Sequence, residues 1–281
     1  MNPNRRRLIT LPLLLALSTV VHGQSTIAAD PALDADANPR WQQIRNSLFA
    51  GRAITTPADD LLQLDAPARA EDAAIVPIAV RTGLPQTDAR YLRRMWLIID
   101  NNPSPVGAVF NFTPASGRAD IETRVRVDAY THVRAVAETS DGQLYMTTRF
   151  VKASGGCSAP PGKDAQAALA TLGRMRLRVE GEPAINRPVL AQLMVSHPNH
   201  SGLAMDQLTR HYTPAHYVRS IRVSYAGEPV MTAEVDFSIS ENPNFRFYFQ
   251  PRAQGELKAE VVDSNSLRFE TALLVQPKVA N

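Results

Sequence analysis

Apolar and polar residues alternate with a period of two over most of this chain. The clearest runs cover residues 121–128, 174–180 and 231–239, where charged or hydroxylated side chains separate mostly apolar ones. One polar face per strand is typical of antiparallel sheets that are buried on a single side. Turn signals such as Asn101-Asn102-Pro103 and Ala226-Gly227 divide the strands into short segments. The pattern therefore predicts an all-β protein built from two β-sandwiches.

Two short segments have helical patterns instead. Trp41, Ile44 and Leu48 share one face of a predicted N-terminal helix, and the Ala-rich residues 165–172 predict a short inter-domain helical linker. Five segments follow from this reading, and they are a signal peptide over 1–23, a flexible segment over 24–40, a first sandwich over 41–157, a linker over 158–173 and a second sandwich over 174–281.

The N-terminus has the features of an export signal. Arg5-Arg6-Arg7 precedes an apolar run from Leu8 to Val21, and this run is short for a membrane span. We therefore expect a periplasmic protein without a membrane span. Removal of residues 1–23 leaves 27 basic and 27 acidic residues, so the basic balance of the whole chain does not indicate a nucleic-acid partner.

Cys157 is the single cysteine of the chain. Gly155 and Gly156 precede it and Pro160-Pro161-Gly162 follows, so the local sequence predicts a loop. A lone cysteine of an exported protein has no internal disulfide partner. We predict an accessible, functional thiol, because the small and polar neighbours offer little steric cover; the alternative is a small buried hydrophobic residue.

Four histidines, His197, His200, His211 and His216, lie within twenty residues of one another. Their spacing matches no familiar zinc pattern, so we expect no metal. A Cys157–His catalytic dyad stays open as the weaker hypothesis, since catalytic partners meet in space and not in sequence. Phe245, Phe247 and Phe249 form a period-two stripe that predicts core packing. No phosphate-binding loop or acid–base carboxylate pair is present in the sequence, and no cofactor is expected.

Two sets of segments follow one another along the chain. The first comprises Ile75-Val76-Pro77-Ile78-Ala79-Val80, Asn101-Asn102-Pro103-Ser104-Pro105-Val106 and Gly155-Gly156-Cys157. The second comprises His197-Pro198 with Ser201-Gly202, Pro214-Ala215-His216-Tyr217-Val218 and Ser240-Glu241-Asn242-Pro243-Asn244-Phe245-Arg246-Phe247. In this order the first set resembles the SoxY subunit and the second the SoxZ subunit of the sulfur carriers of bacterial thiosulfate oxidation, joined in one chain. The arrangement is most similar to fused SoxYZ-like carriers associated with quinoprotein dehydrogenases.

This resemblance implies two immunoglobulin-like sandwiches and a non-enzymatic carrier role. Cys157 is the one position that inherits the covalent attachment of a sulfur-containing cargo, with Gly155 and Gly156 as flexible elements of a swinging arm. The implied partners are periplasmic redox enzymes, of the Sox type or of a quinoprotein dehydrogenase system. Unlike the free SoxY subunit, this chain continues beyond the cysteine. About seventeen residues, roughly 60 Å when fully extended, lead to the next predicted strand at Arg174.

The sequence thus leaves three hypotheses. The leading one is a periplasmic covalent carrier with its cargo on Cys157. The second is a docking or assembly module for a periplasmic quinoprotein dehydrogenase, in which the thiol is incidental. The third and weakest is a thiol-dependent hydrolase or transferase.

Overall fold

The computed structural model describes residues 34–58, 60–160, 170–206 and 209–279. The predicted signal peptide and most of the predicted linker helix lie outside these residues. Among the described residues, no helix is long and apolar enough to cross a membrane. The described residues form fifteen β-strands, one α-helix (α1, Pro39–Phe49) and a 3-10 turn at Pro114–Ser116.

The larger sheet contains nine strands in the order β1-β8-β7-β4-β5-β12-β11-β14-β15. All neighbours in it are antiparallel except the short parallel pair of β1 and β8. Its strands are β1 (Ile54–Thr55), β4 (Leu92–Ile99), β5 (Val106–Phe112), β7 (Thr131–Thr139), β8 (Leu144–Val151), β11 (Val218–Tyr225), β12 (Glu228–Val235), β14 (Gly255–Asp263) and β15 (Arg268–Val275).

The smaller sheet contains six antiparallel strands in the order β2-β3-β6-β13-β10-β9. Its strands are β2 (Leu62–Asp65), β3 (Val76–Thr82), β6 (Ile121–Val125), β9 (Met175–Glu180), β10 (Val189–Val195) and β13 (Asn244–Phe249). Buried residues alternate with more exposed ones along each of these strands, as the period-two pattern predicts.

Both sheets run without interruption from the first half of the chain into the second. In the larger sheet β5 pairs with β12, with Phe112 opposite Met231 and Ala108 opposite Val235. In the smaller sheet β6 pairs with β13 through Glu122 and Arg246. We call this pair of strand junctions the seam. One hydrophobic core extends across it, and Phe245, Phe247 and Phe249 are fully buried there, which confirms their predicted core role.

The fold class is confirmed as mostly β with one short N-terminal helix, and its two sandwiches are immunoglobulin-like. Periodicity alone did not reveal that the two sandwiches share their sheets. A period of two identifies the buried face of a strand, but it carries no information about which strand edge meets which.

Helix α1 covers the outer face of the larger sheet in the first half. Asn38 caps it by accepting a hydrogen bond from the Arg40 N–H, and Pro39 occupies the first turn. Trp41 and Phe49 are buried against strand residues that include Trp96. The predicted helix is therefore confirmed, although Leu48 is exposed and Phe49 packs in its place.

The helix region also covers a buried ion pair. Arg134 and Asp100 are both fully buried and 2.8 Å apart, and the guanidinium of Arg134 lies 4.2 Å from the centre of the Trp41 ring. Arg134 also donates to the carbonyl of Ala35. A buried charge of this kind requires a complete set of partners, so the segment before α1 is tied to the sheet.

We predict that the two halves stay associated when the backbone between them is cut. A protease site inserted after Pro160 and cleaved in the folded protein would leave two fragments that elute together from gel filtration, because two strand junctions and a common core join them. Separate elution of the fragments under native conditions would contradict an extensive seam.

Candidate functional site

Cys157 is fully buried and free in this structure. It belongs to residues 153–159, which follow β8 and which we call the thiol loop. The loop lies against the chain that continues from β6, because the Gly155 N–H donates to the Asp128 carbonyl at 2.8 Å and the Gly156 N–H donates to the Val127 carbonyl at 3.0 Å. The prediction of an accessible thiol is therefore wrong for this conformation.

The two glycines have different roles from those predicted by the resemblance. A Cβ atom on Gly156 would lie 2.0 Å from the Ala73 carbonyl oxygen, so glycine is required here by close backbone approach. Gly155 has φ +79 and open space around it, so it provides a turn at an exposed position. In this conformation neither residue provides a freely swinging arm, and Gly156 fastens the loop to the sandwich.

Part of the cover over the thiol loop comes from the second half of the chain. Residues 196–203, which we call the covering loop, follow β10. Ser201 Oγ donates a hydrogen bond to the carbonyl of Cys157. Buried Arg126 bridges the two loops, since it donates to the Gly156 carbonyl at 3.5 Å and to the Asn199 carbonyl at 3.2 Å. The thiol loop is thus enclosed at the seam between the two halves.

The environment of Cys157 disfavours the thiolate. Burial raises the pKa of the Cys157 thiol to about 12, the carboxylates of Asp128 and Asp236 act in the same direction, and Arg126 opposes them. Lys152, five residues before Cys157, is exposed and does not contribute to this pKa. In this conformation the thiol is neutral at physiological pH and unreactive as a nucleophile.

Asn199 holds the covering loop in place. Its fully buried side chain donates to the Ile239 carbonyl at 2.8 Å and accepts from the Val218 N–H at 2.9 Å. The Asn199 N–H donates to His197 Nδ1 at 3.0 Å. Asn199 also has a positive φ of 46, a conformation that asparagine tolerates better than most residues. These contacts fix the position of the Asn199 carbonyl, which accepts a hydrogen bond from Arg126.

His197 of the covering loop forms a compact cluster with His216 and Asp263, with one ligand-type atom of each within 4.8 Å of the others. His216 Nε2 lies 2.7 Å from Asp263 Oδ2, and His197 Nε2 lies 3.6 Å from the same oxygen. Because His197 Nδ1 accepts a hydrogen bond, the proton of the neutral ring is on Nε2 and faces Asp263. A metal at Nε2 would require the proton on Nδ1, where it would meet the Asn199 N–H, so the cluster does not fit a metal ion.

The remaining histidines of the sequence cluster, His200 and His211, do not belong to this group of side chains. His200 pairs with His216 through backbone hydrogen bonds, and His211 is exposed. Within the described part of the chain, no histidine is hydrogen-bonded to Cys157, which gives a Cys157–His dyad no support in this conformation. Arg126, Asn199 and Asp236 are parts of the site that no sequence pattern predicted. The sequence does show that Arg126 is a charged residue between the apolar residues Val125 and Val127. Its burial depends on the thiol loop and the covering loop, which the sequence pattern does not place.

Two family models match the chain in succession. Residues 45–157 match "Sulfur oxidation protein SoxY", and residues 177–273 match "Sulphur oxidation protein SoxZ". The first match ends at Cys157. A search of curated proteins finds no match.

Solved structures with similarity to the chain include the sulfur carrier protein SoxY from Chlorobium limicola f thiosulfatophilum. It is 24% identical, with 41% of this chain and 91% of that chain covered and a TM-score of 0.34. A superoxide reductase (neelaredoxin) from Ignicoccus hospitalis is 18% identical over 33% of this chain and 79% of that one, with a TM-score of 0.30. A putative superoxide reductase from Thermotoga maritima is 18% identical over 35% of this chain and 92% of that one, with a TM-score of 0.29.

We predict that Gly156→Ala increases the alkylation rate of Cys157 by at least about tenfold, which corresponds to a change of about 1.4 kcal/mol in the opening equilibrium. The added Cβ would overlap the Ala73 carbonyl oxygen and displace the thiol loop. Maleimide labelling under native conditions measures the rate. Gly142→Ala is the control, because its glycine has a positive φ and open space in a turn remote from Cys157 in sequence. Equal labelling of Gly156→Ala and the wild type would show that the loop is not held by this contact.

We predict that His197 makes the protein less stable in acid. Burial, followed by the neighbouring His216, lowers the pKa of His197 to about 4, whereas an unfolded histidine titrates near 6.5. The unfolded state therefore binds more protons below pH 6.5, and this stability is lost as the pH falls from about 6.5 towards 4. The variant His197→Asn keeps an acceptor for the Asn199 N–H but has no titrating ring. The free energy of unfolding of this variant should therefore fall less between pH 7 and pH 5 than that of the wild type, by roughly 2 kcal/mol at most. Urea titrations at the two pH values measure it, and an identical pH dependence in both proteins would contradict the assignment.

Proposed function

Because the chain consists of a SoxY domain followed by a SoxZ domain, we propose that it is a covalent carrier that holds a sulfur-containing intermediate on Cys157 and presents it to partner redox enzymes. The SoxY–SoxZ pair is a non-catalytic sulfur-carrier complex, so the predicted carrier class is confirmed at the level of the family. The residue that carries the cargo in this chain is our proposal.

The observation that supports Cys157 most directly is its position at the end of the SoxY match. SoxY carries sulfur on a C-terminal cysteine, and here the match ends on the single cysteine of the chain. The difference is that the present chain continues after Cys157 into the SoxZ domain. The cargo-bearing loop is therefore attached to the protein at both ends.

The buried thiol gives the proposed carrier a closed state. Attachment of a cargo thiol to Cys157 would form one S–S bond and release two protons and two electrons, with the electrons passing to the partner redox enzyme. This reaction needs access to the sulfur and formation of its thiolate, and burial disfavours both. We therefore propose that the thiol loop opens before loading and that the thiol is protected between cycles.

Opening of this loop does not require unfolding of either sandwich. The polar contacts that hold residues 155–157 are the two glycine N–H bonds, the Arg126 bridge and the Ser201 hydrogen bond. A typical protein hydrogen bond contributes about 1 kcal/mol net, so these four contribute about 4 kcal/mol together, which is below the roughly 5–15 kcal/mol of global unfolding. Local opening of loops at such low free energies is common.

The partners and the compartment belong to the same proposal. Partners of the Sox type follow from the family, and a quinoprotein dehydrogenase system remains our alternative on the basis of the sequence resemblance. The basic and apolar N-terminus, from Arg5 to Val21, supports export to the periplasm.

A second candidate function is favoured by the burial of Cys157. If the thiol is a permanent part of the interior, the chain would act as a docking or assembly module and its cysteine would be a packing residue. A carrier would bear a covalent adduct on the Cys157 sulfur, whereas a docking module would keep an unmodified thiol.

We predict that protein purified from its own organism carries a mass increment of sulfur or sulfur-oxide groups on Cys157, because a carrier is isolated in part with its cargo. Intact-mass analysis with peptide mapping measures the increment, and treatment with a thiol reductant should remove it. Cys157→Ser is the control and should be unmodified while it retains the fold. An unmodified wild-type thiol under conditions of active sulfur oxidation would support the docking module instead.

A further inference from the structure

The outer face of the six-stranded sheet has an excess of arginine. The charged side chains that point outward from its strands are five arginines and three acids, namely Arg81, Arg124, Arg176, Arg178, Arg246, Asp65, Glu122 and Glu180. We call this surface the arginine face. It extends over both halves of the chain, because β6 and β13 pair within it.

The three acids are already engaged with two of the arginines. Arg81 contacts Asp65 and Glu122, at 3.2 and 3.5 Å. Arg246 contacts Glu122 and Glu180. Each acid therefore shares its charge with a local partner, and Glu122 does so with two.

The remaining three arginines have no such partner. Within the described ranges, no carboxylate lies at ion-pair distance from Arg124, Arg176 or Arg178. Arg176 and Arg178 are exposed. Arg124 donates one hydrogen bond to the Asn242 carbonyl at 3.1 Å, which leaves other donors of its guanidinium. A guanidinium without a local carboxylate can bind a carboxylate of another molecule.

Strand register places Arg124 and Arg176 in one row. Met194 pairs with Arg176 on one side and with Asn244 on the other, and the pairing of Glu122 with Arg246 places Asn244 beside Arg124. Three strand spacings separate the two arginines, which is about 14 Å. A cleft of about 510 Å³ adjoins Arg124 and is also lined by exposed Arg149.

The arginine face borders the thiol loop. Arg126 lies two positions after Arg124, just beyond the end of β6, and donates to the Gly156 carbonyl. Two residues of a strand span about 7 Å. A molecule bound over Arg124 would therefore lie beside the loop that carries Cys157.

The outer face of the nine-stranded sheet lacks this excess. Helix α1 covers part of it in the first half. In the second half the charged side chains that point outward from its strands are three basic and four acidic ones, namely Arg222, Lys258, Arg268, Glu234, Glu256, Glu260 and Glu270. The unbalanced positive charge is thus a feature of the face next to the thiol loop.

We propose that the arginine face is the docking surface for an acidic protein partner that loads or unloads Cys157. This proposal rests on the carrier function. A protein surface suits the site better than nucleic acid, because Tyr248 is the one outward aromatic residue of its strands and Arg118 already covers that ring at 5.1 Å. A bilayer is also a poor match, since the apolar outward residues Leu190 and Met194 are half-buried between strands.

The test is charge reversal in the source organism with the full chain. In Arg124→Glu/Arg176→Glu we expect the fraction of Cys157 that carries an adduct to fall by at least about tenfold, since electrostatic steering changes association rates by such factors. Arg219→Glu/Arg222→Glu is the matched control, because it makes the same change in net charge with exposed residues of the nine-stranded sheet region. Both variants should unfold at the temperature of the wild type.

An adduct that persists in Arg124→Glu/Arg176→Glu overturns the docking surface and leaves the carrier function intact. An equal loss in both variants also overturns it, since net charge would then be the cause. Absence of adduct from the wild type is the separate failure of the carrier function.

A binding measurement on purified protein tests the docking surface even if the wild type carries no adduct. A labelled decaglutamate peptide should bind the purified wild type and the control at low salt, and bind Arg124→Glu/Arg176→Glu at least about tenfold more weakly. Equal binding to all three proteins would overturn the proposal. So would tighter binding of single-stranded DNA or of anionic lipid vesicles through the same two arginines.

Discussion

Edge-to-edge strand pairing at the seam is the constraint on which the rest of this structure depends. Strands β5 and β12 join the two halves in one sheet, and β6 and β13 join them in the other. Because backbone hydrogen bonds set the position of each strand relative to its neighbour, the chain after β6, to which the thiol loop is bonded, and the covering loop after β10 are held at fixed positions. The thiol loop and the covering loop therefore meet at the seam without a dedicated hinge or disulfide.

Several weak contacts hold the thiol loop closed, and in the closed loop Cys157 is kept in its protonated, unreactive form. The closed loop buries the sulfur, raises the pKa of Cys157 to about 12 and surrounds it with the charges of Arg126, Asp128 and Asp236. Such a site protects a thiol from oxidation, because the thiolate is the reactive species. The same site is a poor place for chemistry, which is why loop opening is central to the proposed function. Fusion of the two domains keeps the covering loop and the thiol loop in one chain, so the loop can close again after each opening.

The strands and their buried faces could be predicted from sequence because they depend on local periodicity. The stripe of Phe245, Phe247 and Phe249 is one example, and the N-terminal helix is another. The state of Cys157 could not be predicted in this way. Its small and polar neighbours indicated exposure, whereas burial results from Gly156 packing on Ala73 and from Ser201 in the other half. The grouping of His197, His216 and Asp263 likewise depends on three strand ends that are distant in sequence.

The most direct test of the central claim is the rate at which Cys157 reacts with a thiol reagent as a function of urea concentration below the unfolding transition. If the thiol loop opens locally, the free energy of opening derived from these rates is well below that of global unfolding and changes little with urea, because opening exposes little surface. If Cys157 is a permanent core residue, the reaction requires global unfolding. Its opening free energy and its urea dependence would then equal those of the whole protein, and this result would contradict the account.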